Sequence, residues 1–168
     1  MGATSTTSST TSTPKTCPES KDSWDWVPFD GNCYKLVDAP LEWLEAQRYC
    51  REDGDLLSIH SEEENDFVGQ MLLTSTSGHS SFFIGLKSIN SRKCGANIIE
   101  DRENWEWSDG SSWNYTHWLP DRPYCNSHND YWFVYFQLDT DFGFRWNNYH
   151  CSFNNCEFPF VCKTQQLK

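Results

Sequence analysis

The chain has 168 residues, a formal net charge of −11 from 13 basic and 24 acidic side chains, and a mean hydropathy of −0.73. That balance argues against a nucleic-acid binder, which needs a basic stripe to displace counterions from phosphates. The longest purely apolar run, Tyr131 to Phe136, is far shorter than the roughly 20 residues of a membrane-spanning helix.

Eleven of the first sixteen residues are Ser or Thr. Such a stretch has nothing to bury against its ordering entropy, so residues 1–16 are expected to form a Ser/Thr-rich tail or stalk ahead of a domain over 17–168. Residues 1–30 hold no apolar signal-peptide core. Eight cysteines, an even number, point to a disulfide framework and hence to an extracellular, secreted protein. The 9 Trp, 7 Tyr and 11 Phe supply large burial per residue, which suits a loop-rich fold.

Tyr34, Leu36 and Val37 predict a short strand that Pro40 ends. Leu41 to Glu52 predicts a helix with Trp43, Ala46 and Cys50 on one face, closed by Gly54 in a left-handed cap. Leu56, Leu57 and Ile59 predict a buried connection. Ser61-Glu62-Glu63-Glu64 reads as a capping box in which Ser61 and Glu64 bond each other's amides, opening a second helix with Phe67, Val68, Met71 and Leu72 buried. Thr74 to Ser81 ends it. Residues 42–66 carry nine acidic and two basic side chains, read as a solvated acidic face of the two helices.

Beyond residue 82 the period turns to strands. Phe82 to Leu86 predicts one, with Gly85 where another backbone comes close. Trp105 and Trp107 alternate around Glu106 before the turn Ser108-Asp109-Gly110, and residues 111–130 read as a long ordered loop. Tyr131 to Leu138 predicts a buried strand, and Phe142, Phe144 and Trp146 the next, joined by Asp139-Thr140-Asp141. Phe158 to Cys162 is the last. Two early helices and later antiparallel strands make an α+β domain. Trp105, Trp107, Trp113, Trp118 and Trp146 are expected in its core. Asn114-Tyr115-Thr116 is a glycosylation sequon on an expected surface loop. His60, His79, His117, His128 and His150 do not stand at zinc-ligand spacing with cysteine, so a zinc-bound scaffold lacks support. Without a nucleophile elbow or a glycine-rich phosphate loop, an enzyme lacks it too.

A family likeness emerges from the ordered set Cys33-Tyr34, Trp43 to Cys50, Leu57 to Ser61, Glu64-Asn65, Phe83 to Leu86, Trp107 to Gly110, Asn114 to Trp118, Trp146-Asn147-Asn148 and Pro159 to Cys162. The chain resembles a C-type lectin-like domain over Cys17 to Lys163. The resemblance implies a disulfide-stapled C-type lectin-like fold with two helices, short antiparallel sheets and a long ordered loop. It pairs Cys50 with Cys162 and, as in the long form, Cys17 with Cys33. Cys94, Cys125, Cys151 and Cys156 admit three pairings, of which Cys125 with Cys151 is preferred.

In sugar-binding members, oxygen donors flank a cis proline and an asparagine-aspartate pair follows the tryptophan, so that calcium and sugar share one site. Calcium takes about 6–8 oxygens. Here Pro123 is that proline, Arg122 and Tyr124 flank it, and the pair is Asn147-Asn148. A guanidinium offers donors only and a fixed positive charge, so no cofactor is expected at this site. A further ion site of some members corresponds to Ser58, His60, Glu64 and Lys163. It also reads as lost, which leaves Glu64 as a helix-capping residue. The expected ligand-binding residues are Asp121, Arg122, Tyr124, Asn147 and Asn148, and the expected function is extracellular recognition of a glycan or a (glyco)protein without calcium. The alternative is a calcium-dependent lectin with shifted ligands drawn from Asp121, Asn126 or Asp130.

Overall fold

A computed structural model describes residues 16–75, 77–89, 104–123, 132–150 and 156–167, with Trp132, Tyr149 and His150 described by backbone only. The elements are β1 (Val27–Phe29), β2 (Asn32–Leu41), α1 (Trp43–Cys50), β3 (Asp55–Leu56), α2 (Glu62–Leu73), β4 (Ser81–Ser88), β5 (Trp105–Trp107), β6 (Trp132–Asp139), β7 (Gly143–His150) and β8 (Phe158–Gln165). The path of the sheet is β1-β2-β8-β4-β6-β7, with β3 beside β8 and β5 beside β4. The β4–β8 pairing through Phe83 and Phe160 is parallel, against the all-antiparallel expectation.

β1 has no counterpart among the expected elements. It pairs with β2 across Asp30-Gly31, whose φ values of 43° and 77° are those of a two-residue hairpin turn. β2 runs on through Pro40 instead of stopping there. The ladder with β8 shifts register between Val37 and Leu41, and such an irregularity tolerates a residue without an N–H.

Leu41 therefore belongs to β2, and α1 is shorter at both ends than expected. Extended Glu42 caps its start, and Glu52 and Asp53 donate to the carbonyls of Tyr49 and Cys50 in a tightened last turn. Trp43, Ala46 and Cys50 do form the buried face, joined by Gln47. Gly54 does not take the left-handed cap, because its φ is not positive. A Cβ there would instead collide with the carbonyl oxygen of Lys163 on β8. Gly54→Ala should therefore cost about 1–3 kcal/mol in urea unfolding, by forcing β8 away. A variant as stable as the parent would show that the strand yields freely.

Gly85 fits its expectation, since a Cβ there would lie 2.6 Å from Ser108 Oγ and 2.9 Å from the Leu56 carbonyl oxygen. In α2 the amide of Glu64 donates to Ser61 Oγ at 3.1 Å. The return bond departs from the expected box: Glu64 Oε2 accepts from the amide of His60. Val68 and Leu72 are fully buried with Asn65 and Gly69, while Phe67 and Met71 lie half-buried against the core. Phe142 is 49% exposed in the β6–β7 turn and is not the first residue of a strand. Asp139 makes that turn, accepting from the amides of Asp141 and Phe142.

Among the described residues, two apolar clusters form the core. One surrounds Trp107 and Trp146 with Leu57, Val68, Leu86 and Phe136. The other surrounds Trp43 with Val37, Phe83 and Phe160. Buried Asn65 joins α2 to β7, accepting from Trp146 Nε1 at 2.9 Å and donating to the Phe144 carbonyl at 3.3 Å. Both implied disulfides are present, Cys17–Cys33 and Cys50–Cys162. Cys156 is also disulfide-bonded, whereas Cys94, Cys125 and Cys151 lie outside the described residues.

The chain ahead of β1 is held by a buried cation that the sequence reading passed over. Lys35, 3% exposed, bonds Asp22 at 2.9 Å and lies 4.8 Å from the Trp26 ring centroid. Tyr49 also donates to Asp22. Burial opposes ionisation of this carboxyl, but the Tyr49, Lys35 and Trp24 hydrogen bonds bring its pKa down to about 2.

Candidate functional site

After β5, the chain from Ser111 to Pro123 is laid over the Trp107–Trp146 cluster. Trp113 and Trp118 lie half-buried, their ring centroids 6.4 and 5.3 Å from that of Trp105. Trp105, Trp107 and Trp146 are thus buried as expected, while Trp113 and Trp118 only pack against them. Backbone bonds fasten the loop to β7: Trp146 N donates to His117 O at 2.8 Å, and Leu119 N to Trp146 O at 2.9 Å. Arg122 N then closes a turn on Leu119 O at 3.1 Å. Asp121 occupies the left-handed region at φ 60°, and the Arg122–Pro123 peptide is cis.

The turn thus stands beside Trp146-Asn147-Asn148, so four of the five expected binding residues belong to one end of the domain. Tyr124 lies outside the described residues, as do Asn126 and Asp130. Asp121 is exposed and Arg122 half-buried. Asn147 and Asn148 are only 8% and 4% exposed. Asn147 donates to Gln137 Oε1 at 3.0 Å and accepts from the Asn148 amide at 2.9 Å. Its carbonyl oxygen is therefore engaged inside the fold. A neutral amide so engaged is a poor donor for a divalent cation, and the guanidinium of Arg122 offers no oxygen at all.

The second family ion site fits the ion no better. Lys163 Nζ lies 2.5 Å from Glu64 Oε1 and 2.9 Å from the Ser58 carbonyl oxygen. Tyr34 OH donates to Glu64 Oε1 at 2.6 Å. Ser58 Oγ turns away to Asp109 Oδ2 at 2.6 Å. An ammonium thus sits among the remaining oxygens, and Glu64 does more than cap a helix. It is the anion of a buried ion pair, a role that its place in the capping sequence concealed. Burial and the Glu64 carboxylate push the Tyr34 phenol well above its ordinary pKa.

Lys163 lines a polar cleft of about 500 Å³ with Asp55, Ser58, His60, Asp109 and Ser111. Its carboxylates are already engaged. Asp109 Oδ1 accepts from the amide and hydroxyl of Ser111, and Asp55 Oδ1 from Ser108 Oγ and the Leu56 amide. Burial disfavours the Asp109 anion, but its bonds from Ser111 and Ser58 outweigh this and hold its pKa below the usual value. Among the described residues, no group of three His, Cys, Asp or Glu side chains could hold a metal ion.

A pair beside the loop carries no local signal in the sequence. Arg145 Nη1 on β7 contacts His117 Nε2, and the Tyr115 ring stacks on the imidazole with centroids 5.8 Å apart. Arginine only donates, so a hydrogen bond between the two needs Nε2 as its acceptor. Burial, with the Tyr115 phenol also facing Glu62 and Asp66, raises the Tyr115 pKa to about 12. Asn114, the sequon residue, is exposed one position earlier.

Residues 39–164 match the family described as Lectin C-type domain. Snaclec 3 of Sistrurus catenatus edwardsii is 35% identical over 144 residues, which cover 82% of this chain and 81% of that protein. One chain of the snaclec coagulation factor IX/factor X-binding protein of Protobothrops flavoviridis is 31% identical over 144 residues, 84% of this chain and 81% of that one. In three dimensions, a calcium-independent type II antifreeze protein superposes with a TM-score of 0.66 at 20% identity, over 92% of this chain and 98% of that one.

Proposed function

Because the chain belongs to the C-type lectin domain family, whose members are binding proteins and not enzymes, we propose that it is a secreted extracellular recognition module. It takes a glycan or a (glyco)protein at the loop end formed by Asp121, Arg122, Tyr124, Asn147 and Asn148, and it does so without calcium there. The observation that carries this reading is Lys163 bonded to Glu64 at one family ion site; at the other, Arg122 stands before cis Pro123 where an oxygen donor is needed. A relative named for binding coagulation factors supports a protein as one ligand class. Among the described residues no helix is long and apolar enough to cross a membrane. A Ser/Thr-rich stalk over residues 1–16 and a glycan on exposed Asn114 belong to the same reading.

Calorimetric titration with calcium, beside a glycan array read with and without chelator, tests it. No calcium heat and chelator-insensitive binding are expected. Chelator-sensitive capture of simple monosaccharides would favour the calcium-dependent alternative. Tyrosine and arginine are the residue types enriched in interface hot spots. Tyr124→Ala should therefore weaken binding by about 2 kcal/mol while leaving the melting temperature unchanged. Equal binding by the variant would remove Tyr124 from the site.

A further inference from the structure

We propose that His117 and Arg145 form an acid-sensitive latch on the long loop, so that acidification loosens the binding end and releases its ligand. Release of a ligand rests on the function proposed above. The latch itself stands on geometry. Loop residue 117 is gripped twice by consecutive residues of β7: its carbonyl oxygen accepts from Trp146 N at 2.8 Å, and its ring nitrogen Nε2 meets Arg145 Nη1. Arg145 Nη1 also bonds the Phe144 carbonyl at 3.1 Å, which fixes the guanidinium to its strand. The grip works only while Nε2 keeps its lone pair. A proton there turns the acceptor into a donor and sets two cations against each other.

The groups facing His117 decide where the imidazolium goes. From β7 there is Arg145, from α2 there are Glu62 and Asp66, and on its own loop there is the neutral Tyr115 phenol. Arg145 is in turn drawn by Asp139 at the end of β6. The two α2 carboxylates cannot replace the lost acceptor, but they attract the charged ring away from Arg145. Two residues on, Leu119 N holds the loop to Trp146 O, and that bond positions the Asp121-Arg122 turn.

Burial first, and Arg145 second, hold the His117 pKa below the ordinary 6.5. The unfolded chain then binds this proton at a higher pH than the native chain. The contribution of neutral His117 to stability is complete above the unfolded value and is lost as pH falls through it toward the lower folded value.

Near-ultraviolet circular dichroism, which reports the surrounding tryptophans, tests the latch between about pH 7.5 and about pH 5, the range over which histidine changes charge. The native chain should lose signal with a midpoint below that of an ordinary histidine. His117→Gln, whose amide oxygen still accepts from Arg145, should be flat, and Arg145→Gln should move the midpoint up. A titration that persists in the first variant, or an unmoved midpoint in the second, overturns the proposal. Should a variant fail to fold, the native chain is followed by NMR. There the Trp118 indole must shift in step with the His117 ring, and an indole unmoved through that titration overturns the latch. Ligand retained on the array should fall about tenfold, 1.4 kcal/mol, from the higher to the lower pH. Undiminished retention beside a normal dichroism titration overturns the release step. An array blank at both pH values defeats the function proposed above, while the dichroism titration still decides the latch.

Discussion

Lys163→Met is expected to destabilise the fold by about 3 kcal/mol, because it leaves the Glu64 carboxylate buried without its cation. The two side chains are 13% and 9% exposed, so water repairs little of the loss. Tyr34 OH and the His60 amide remain on Glu64, which keeps the effect at the low end of what breaking a buried pair costs. A double-mutant cycle by urea unfolding separates the pair from its surroundings. Adding Glu64→Gln to Lys163→Met should recover most of the loss, because the uncompensated charge goes with it. If the double variant instead lost the sum of the two single losses, the ion pair would contribute nothing beyond packing.

The same lysine bears on the metal question. Lys163→Glu places a carboxylate near Glu64 and the Ser58 carbonyl, turning an ion pair into a repulsion that a divalent cation relieves. Calcium should then raise the melting temperature of this variant and leave that of the parent unchanged, as follows when a ligand binds only the native state. A parent stabilised by calcium would mean that oxygens elsewhere hold the ion. The reading of this chain as calcium-independent would then fall.

What the sequence discloses divides along contact distance. The buried faces of both helices, the strands at Phe82 and Trp105, and the core tryptophans follow from local period and apolar character. The failures are positions where a distant strand sets the local conformation. Gly54 looks like a helix cap until β8 lies against it, and Pro40 looks like a stop until the β2–β8 register shift accommodates it. Leu41 is taken from the helix by its pairing with Phe158. The β1–β2 hairpin was within reach, because Asp30-Gly31 between Phe29 and Asn32 carries the turn signal. At the candidate site the motif located Arg122, Pro123 and the Asn147-Asn148 pair. It could not show that both asparagines are buried. Nor could local spacing join Glu64 to Lys163, 99 residues apart, or His117 to Arg145, 28 apart.

The largest loss of stability is expected from Cys50→Ala with Cys162→Ala. This bridge joins α1 to β8 across a sequence separation of 112. Its absence releases most of the domain in the unfolded chain, which the chain-entropy account values at about 5 kcal/mol. Domains of ordinary stability hold about 5–15 kcal/mol. The variant should therefore melt about 10–20 °C lower or fail to fold at all. The Cys17–Cys33 bridge spans a separation of 16, and its removal should cost about 3 kcal/mol. The segment it anchors is also held by the Lys35–Asp22 and Lys21–Asp53 pairs and by the Thr16–Leu167 bridge. Those contacts keep the segment in place after the shorter bridge is cut, whereas α1 and β8 have no second covalent link among the described residues. Urea unfolding of the two double variants in parallel measures the difference. If cutting the shorter bridge costs as much as cutting the longer, native contacts around residues 17–33, and not chain entropy, govern what these disulfides contribute.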